Sequence, residues 1–173
     1  METETSMTTY RRAILEMLVG SGSLDTLYPP SFRSFPRKRI QEAFWRLRHK
    51  ELISYQEKKD GTIKIALTEA GKKKAFRYKF DAMEISEPRR WDRKWRIVAF
   101  DIPEGKKPAR NALAEKLKQL GLKQFQKSLW IYPYPCKDEI DFVAEILEVG
   151  KYVHYIEATG VTNDAALRDV FEL

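Results

Sequence analysis

Lys38, Arg39, Gln41 and Arg46 lie close together in the chain, and each carries donors that duplex nucleic acid accepts. Arginine forks onto guanine, glutamine pairs with adenine, and lysine and arginine both hold phosphates. A second basic group, Lys58, Lys59 and Lys64, brackets the pair Asp60 and Gly61. The chemistry on offer is recognition of a polyanion. Asp101 is the one residue that invites a metal reading. It closes the apolar run Ile97 to Phe100, with Glu104 three positions further on. A hard divalent ion such as Mg2+ binds through one or two carboxylates plus waters. The plainer expectation is that Asp101 caps a turn or pairs with Arg96 or Arg110. No residue is assigned a catalytic role and no cofactor is expected. Ser128 lacks partners for a triad, and His154 in an apolar strand reads as a core or interface residue. Two histidines and the single Cys136 cannot build a His/Cys zinc site.

The charge is unevenly placed. Residues 1–90 hold 19 Lys/Arg against 12 Asp/Glu, whereas residues 91–173 hold 13 of each, so the whole excess of +7 belongs to the first half. Within 31–79 the balance is 15 to 5. A basic module beside a neutral one fits a polyanion-binding part joined to a part with another task. The 173 residues allow two small domains. No apolar run is long enough for a membrane span, the first residues are acidic rather than a signal peptide, and one cysteine allows no internal disulfide. The expected compartment is the cytoplasm.

The elements that must position these residues follow from pattern. A helix capped by Thr8 or Thr9 runs through Val19, with Ile14, Leu15 and Leu18 as its stripe and Gly20 as its stop. A weak helix is marked around Leu24–Tyr28. From Pro36 to Lys50 the spacing of Ile40, Ala43, Phe44 and Leu47 gives one apolar helix face, leaving the four candidate binding residues on the other side. Trp45 also falls on that polar side, where a contact with the second domain or a dimer partner is expected. Alternating runs on either side of Asp60 and Gly61 predict a hairpin, and Lys72–Phe80 a closing helix. Residues 81–94 read as a linker.

The second half predicts a strand at 95–101, ended by Ile102 and Pro103. Then come a helix Ala109–Leu120 stopped by Gly121, one bent strand or two over Leu122–Tyr132, a helix Asp138–Val149 stopped by Gly150, and a strand Tyr152–Ile156. That order is the split βαβ plan of ferredoxin-like folds. Asp164–Phe171 adds a final helical turn.

The pattern Leu47 to Ile53, the hairpin, and Leu67, Thr68 and Gly71 together resemble a winged helix-turn-helix domain over about residues 8–80. Trp95 to Glu104, Arg110, Leu120 and Gly121, Gln126 to Trp130, and Asp169 to Leu173 resemble the PaaX-like regulators, the phenylacetate-catabolism repressor family. That family joins an N-terminal winged helix to a domain similar to CRISPR-associated protein two. The resemblance therefore implies an α+β chain: residues 1–80 a winged helix-turn-helix domain, 81–94 a linker, and 95–173 a ferredoxin-like dimerisation domain. It implies a cytoplasmic, double-stranded-DNA-binding repressor acting as a homodimer. Lys38, Arg39, Gln41 and Arg46 would lie on its recognition helix, with Lys58, Lys59 and Lys64 on its wing. In the CRISPR-associated proteins the residue matching Asp101 goes with divalent metal at a dimer interface. The alternative reading is accordingly a metal-dependent nuclease or CRISPR adaptation factor. A protein-docking winged helix is a third. The sequence stops at Leu173, short of the further C-terminal helical domain of the regulators, so no small-molecule effector is assigned, acyl-coenzyme A included.

Overall fold

The computed structural model describes residues 2–25, 30–57, 59 and 63–173, and for 2–7 and 31 the backbone course alone. The chain divides into two compact units, Met1–Ala82 and Met83–Leu173. Among the described residues, no helix is long and apolar enough to cross a membrane.

The first unit runs α1 (Glu2–Ser21), β1 (Ser23–Leu24), α2 (Arg37–His49), β2 (Ile53–Glu57), β3 (Ile63–Leu67) and α3 (Glu69–Asp81). Apolar stripes make these helices amphipathic: Ile14, Leu15 and Leu18 of α1 meet Ile40, Ala43, Phe44 and Leu47 of α2 in one buried cluster, joined by Ile53, Ile65 and Ala75. Two boundaries differ from expectation. α1 starts well before Thr8, so Thr8 and Thr9 lie inside it rather than capping it. It also runs past Gly20, because Gly22 takes the left-handed conformation (φ 71°) and its N–H donates to the Leu18 carbonyl at 3.0 Å. Leu24, expected in a weak helix, instead pairs with Ile65 of β3, and residues 26–29 lie outside the described ones. A 3-10 turn, Pro30–Phe32, precedes α2.

The sheet of this unit has the order β1-β3-β2, all antiparallel. The β2–β3 register is unbroken from Ile53↔Leu67 to Glu57↔Ile63. The Asp60 and Gly61 turn between them lies outside the described residues. The Leu-Thr-x-x-Gly signature has a direct physical cause. Thr68 caps α3: its hydroxyl oxygen accepts from the Gly71 N–H at 3.0 Å and donates to the Glu51 carbonyl at 2.6 Å. Gly71 sits so close to the chain at Leu52 that a Cβ would lie 1.8 Å from the Leu52 carbonyl oxygen. Only glycine lets the first turn of α3 approach the end of α2 in this way.

The second unit runs β4 (Trp95–Phe100), α4 (Lys107–Gln119), β5 (Lys123–Gln126), β6 (Leu129–Tyr132), α5 (Lys137–Ile146), β7 (Val153–Ala158) and α6 (Asp164–Phe171). Its sheet has the order β5-β6-β4-β7, every neighbour antiparallel. Two helical crossovers with this interleaved order make the ferredoxin-like plan. β5 and β6 are separate strands, with a register shift between Gln124 and Gln126. Gly121 ends α4 with φ 92°, as its position predicted. The end of α5 was misplaced: Glu148, not Gly150, takes the left-handed conformation (φ 54°), and Val149 N–H returns to the Ala144 carbonyl at 2.9 Å.

Successive residues of β4 face opposite sides of the sheet. On one side Trp95 joins Ile131 and Leu167 in a buried cluster that Trp91, Ile97, Ala158, Val161 and Phe171 complete. α6 is thus two turns of helix seated on the sheet rather than a loose final turn. Residues 83–94 carry no helix or strand, yet the stretch is not slack. The Trp91 ring packs tilted against that of Trp95, 4.9 Å between centroids, and Glu87 accepts a hydrogen bond from the Tyr132 hydroxyl at 2.9 Å.

Candidate nucleic-acid interface

α2 exposes what its sequence pattern promised. Its buried line is Ile40, Ala43, Phe44 and Leu47. At 3.6 residues per turn, the line opposite is Lys38, Glu42, Trp45 and His49, with Gln41 on one flank and Arg39 and Arg46 on the other. Lys38, Arg39, Gln41 and Arg46 are all exposed. Arg39 leans on Glu42 at 3.4 Å, an exposed i,i+3 pair of small energetic weight. Lys38 and Arg46 meet no carboxylate among the described residues. Gln41, Glu42, Trp45 and Arg46 line a shallow open depression on this face.

On the hairpin, Lys59 is exposed at the tip, and Lys58 lies outside the described residues. Lys64 is half-buried opposite Gln56, on the sheet face away from the buried Ile65. α2 and the hairpin are tied together by Arg48, whose guanidinium lies 4.9 Å from the centre of the Tyr55 ring. Burial pushes the Tyr55 hydroxyl upward in pKa, and Arg48 pulls against that shift.

The sequence already put Trp45, Glu42 and His49 on the polar side of this helix; the stacking of Trp45 on His49 is what it did not foresee. Trp45 is 65% exposed, the most exposed large apolar side chain among the described residues. Its ring lies flat on the His49 ring, 5.2 Å between centroids and 4° between planes. Glu42 stands on the outermost line of an otherwise basic helix. The i, i+4 spacing of Trp45 and His49, both off the apolar stripe, was the available signal.

Asp101 sits just past the end of β4 and is exposed; its N–H donates to the Tyr152 carbonyl at 3.0 Å. The two arginines expected beside it go elsewhere. Arg110 donates to Glu104 at 2.9 Å and, more weakly, to the Ile102 carbonyl at 3.5 Å. Glu104, held by Arg110 and then by Lys107, has its carboxyl below the usual range. Arg96 is 2% exposed and donates to both oxygens of Asp92 (2.6 and 2.5 Å) and to the carbonyls of Lys94 (2.7 Å) and Pro133 (2.8 Å). That hydrogen bonding holds the Asp92 carboxyl below its ordinary range. The donor set does not fit a resident Mg2+ within one chain: Asp101 stands alone, Glu104 is neutralised by two cations, and no group of three or more His, Cys, Asp or Glu gathers among the described residues. His154, expected in the core or at an interface, is exposed on β7 opposite Ala99 and so is not a core residue.

The Cys136 thiol is buried, which pushes its pKa up to about 12. It is a packing residue, not a nucleophile. No curated protein matches the chain. Residues 88–169, essentially the second unit, match the family model of the PaaX protein central Cas2-like domain.

Proposed function

We propose that this chain, whose residues 88–169 form a PaaX-type central Cas2-like domain, is a DNA-binding transcriptional regulator that represses its targets as a homodimer in the cytoplasm. One observation carries the reading: this domain is fused to a basic unit whose α2 points cations and an amide outward. We take the first unit to be a winged helix-turn-helix domain, with α2 as the recognition helix and the β2–β3 hairpin as the wing. The order helix, short strand, helix, hairpin, helix supports this. Lys38, Arg39, Gln41 and Arg46 then meet the major groove, and Lys58, Lys59 and Lys64 meet phosphates. β7 is an edge strand, and Ile156 on it is 47% exposed. An unpaired edge beside exposed apolar surface supports pairing of two copies through the second unit.

Selection from a random duplex pool tests the reading. A two-fold regulator enriches an inverted repeat whose half-sites lie one or more helical turns apart. Failure to enrich any duplex, with the protein shown folded, would sink it. Cleavage of the pool in Mg2+ or Mn2+, lost in Asp101→Asn, would favour the nuclease reading instead.

A further inference from the structure

Resting on that reading, we infer that Trp45 reads base edges in the major groove, taking the methyl group of a thymine as its target. The inference starts from the outermost line of α2: Lys38, Glu42, Trp45 and His49. Glu42 on this line is half-buried and leans on Arg39 at 3.4 Å, which leaves Trp45 as the outermost apolar group of the face. The cations Arg39 and Arg46 stand to one side, placed for the backbone or for guanine. Charge complementarity names the occupant as duplex DNA, since 15 Lys/Arg against 5 Asp/Glu fall within residues 31–79.

Within the major groove the thymine methyl is the one apolar feature. Trp45 is the apolar group available to meet it, 65% exposed and lying flat on His49. The stack holds the indole in one orientation, so little side-chain freedom is lost on binding. The sequence alone favoured a protein contact for Trp45. Its position between Lys38 and His49, on the outer line of a basic helix, shifts the reading to DNA.

The experiment is a double-mutant cycle on the site that selection yields. Each A·T pair of the half-site is tested with thymine replaced by deoxyuridine, which removes only the methyl group. For the wild type, one position is expected to weaken about fourfold, the value of one buried methyl. For Trp45→Ala, the thymine site weakens by at least as much, and the uridine substitution then has no further effect. A cooperative thermal melt of Trp45→Ala shows that the variant is folded. Equal uridine effects in wild type and Trp45→Ala would overturn the inference while leaving the regulator reading intact. So would the absence of any uridine effect. Failure of the wild type to bind any duplex overturns both. Retention of full site affinity by Trp45→Ala, with loss of binding to a protein partner, would assign the ring to a protein surface instead.

Discussion

The two units differ in how far their charge is balanced. In the second, arginines and lysines hold the fold: Arg96 is buried against Asp92 and two carbonyls, Arg110 clamps Glu104, and Arg168 joins Asp164 while lying over Trp91. Lys94 pairs with Glu157 and Lys137 with Asp141. In the first, Lys38 and Arg46 stand in water on the far side of α2 from the core and meet no carboxylate among the described residues. The first half carries the chain's entire net charge and the second is balanced at 13 to 13. A cation with a carboxylate partner is spent on structure, whereas one presented without a partner can release counterions from a polyanion. The comparison sets a charge-balanced unit beside one that carries the chain's net positive charge.

The sharpest way to break the comparison is to unfold one unit and leave the other. Gly71→Ala forces a Cβ to within 1.8 Å of the Leu52 carbonyl oxygen, so α3 must shift. The expected cost is about 4 kcal/mol, confined to the first unit. It should abolish duplex binding while the tryptophans of the second unit keep their native fluorescence. A melt equal to wild type would show that the contact relaxes freely. Arg96→Met is the counterpart in the second unit. It leaves the buried Pro133 carbonyl without its donor at 2.8 Å and is expected to cost about 3 kcal/mol, read from urea denaturation. Low-salt DNA binding by the first unit should survive it.

Alkaline pH should weaken the second unit more gently. Burial pushes the Cys136 thiol and the Tyr155 hydroxyl up to about 12, and burial plus the bond to Glu87 raises Tyr132 as well. The folded state therefore holds these protons after the unfolded chain has released them. Their stabilisation is whole below the ordinary values of 9.0 for the thiol and 10.0 for the phenols, and is lost as pH rises through about 12. The urea midpoint of the second unit should fall across that window. A flat midpoint would mean that these groups are hydrated. The smallest effect expected is that of Asp101→Asn. Its side chain is exposed and Arg96 and Arg110 are engaged elsewhere, so stability should change by less than about 0.5 kcal/mol and DNA binding not at all. A large loss in either would reveal a role for the carboxylate that the surrounding side chains do not indicate.

Much of this was legible in the sequence where local chemistry decides the outcome. Ile102 and Pro103 stop β4, Gly121 stops α4, and the apolar spacing of α2 sorted its buried and exposed faces correctly. Reading failed where a residue did what its type rarely does. Glu51 and Glu148 take the left-handed position that closes α2 and α5, at φ 54° each, so a search for glycine set the end of α5 too late. Trp91 looked like linker because one aromatic among charges has no period, yet Trp95 gives it a partner. The pairing of Arg96 was equally hidden. Asp92 and Asp101 are both near it in sequence, and only the strand's alternation and the Pro133 carbonyl decide between them. On the candidate interface, residue types alone pointed to Lys38, Arg39, Gln41 and Arg46. The structure adds Trp45, exposed on the line opposite the core and lying flat on His49.

The central claim is that the unpartnered cations of the first unit bind duplex DNA. The most direct test is fluorescence anisotropy of a labelled duplex against the full chain as salt rises from about 50 to 200 mM, for wild type and for Arg46→Ala with Lys59→Ala. With several phosphate contacts per protomer, wild-type affinity should fall by about a thousandfold over that range. The slope of log affinity on log salt should become shallower by about one for each contact removed in the variant. Binding that ignores salt, or a slope the variant leaves unchanged, would contradict the account.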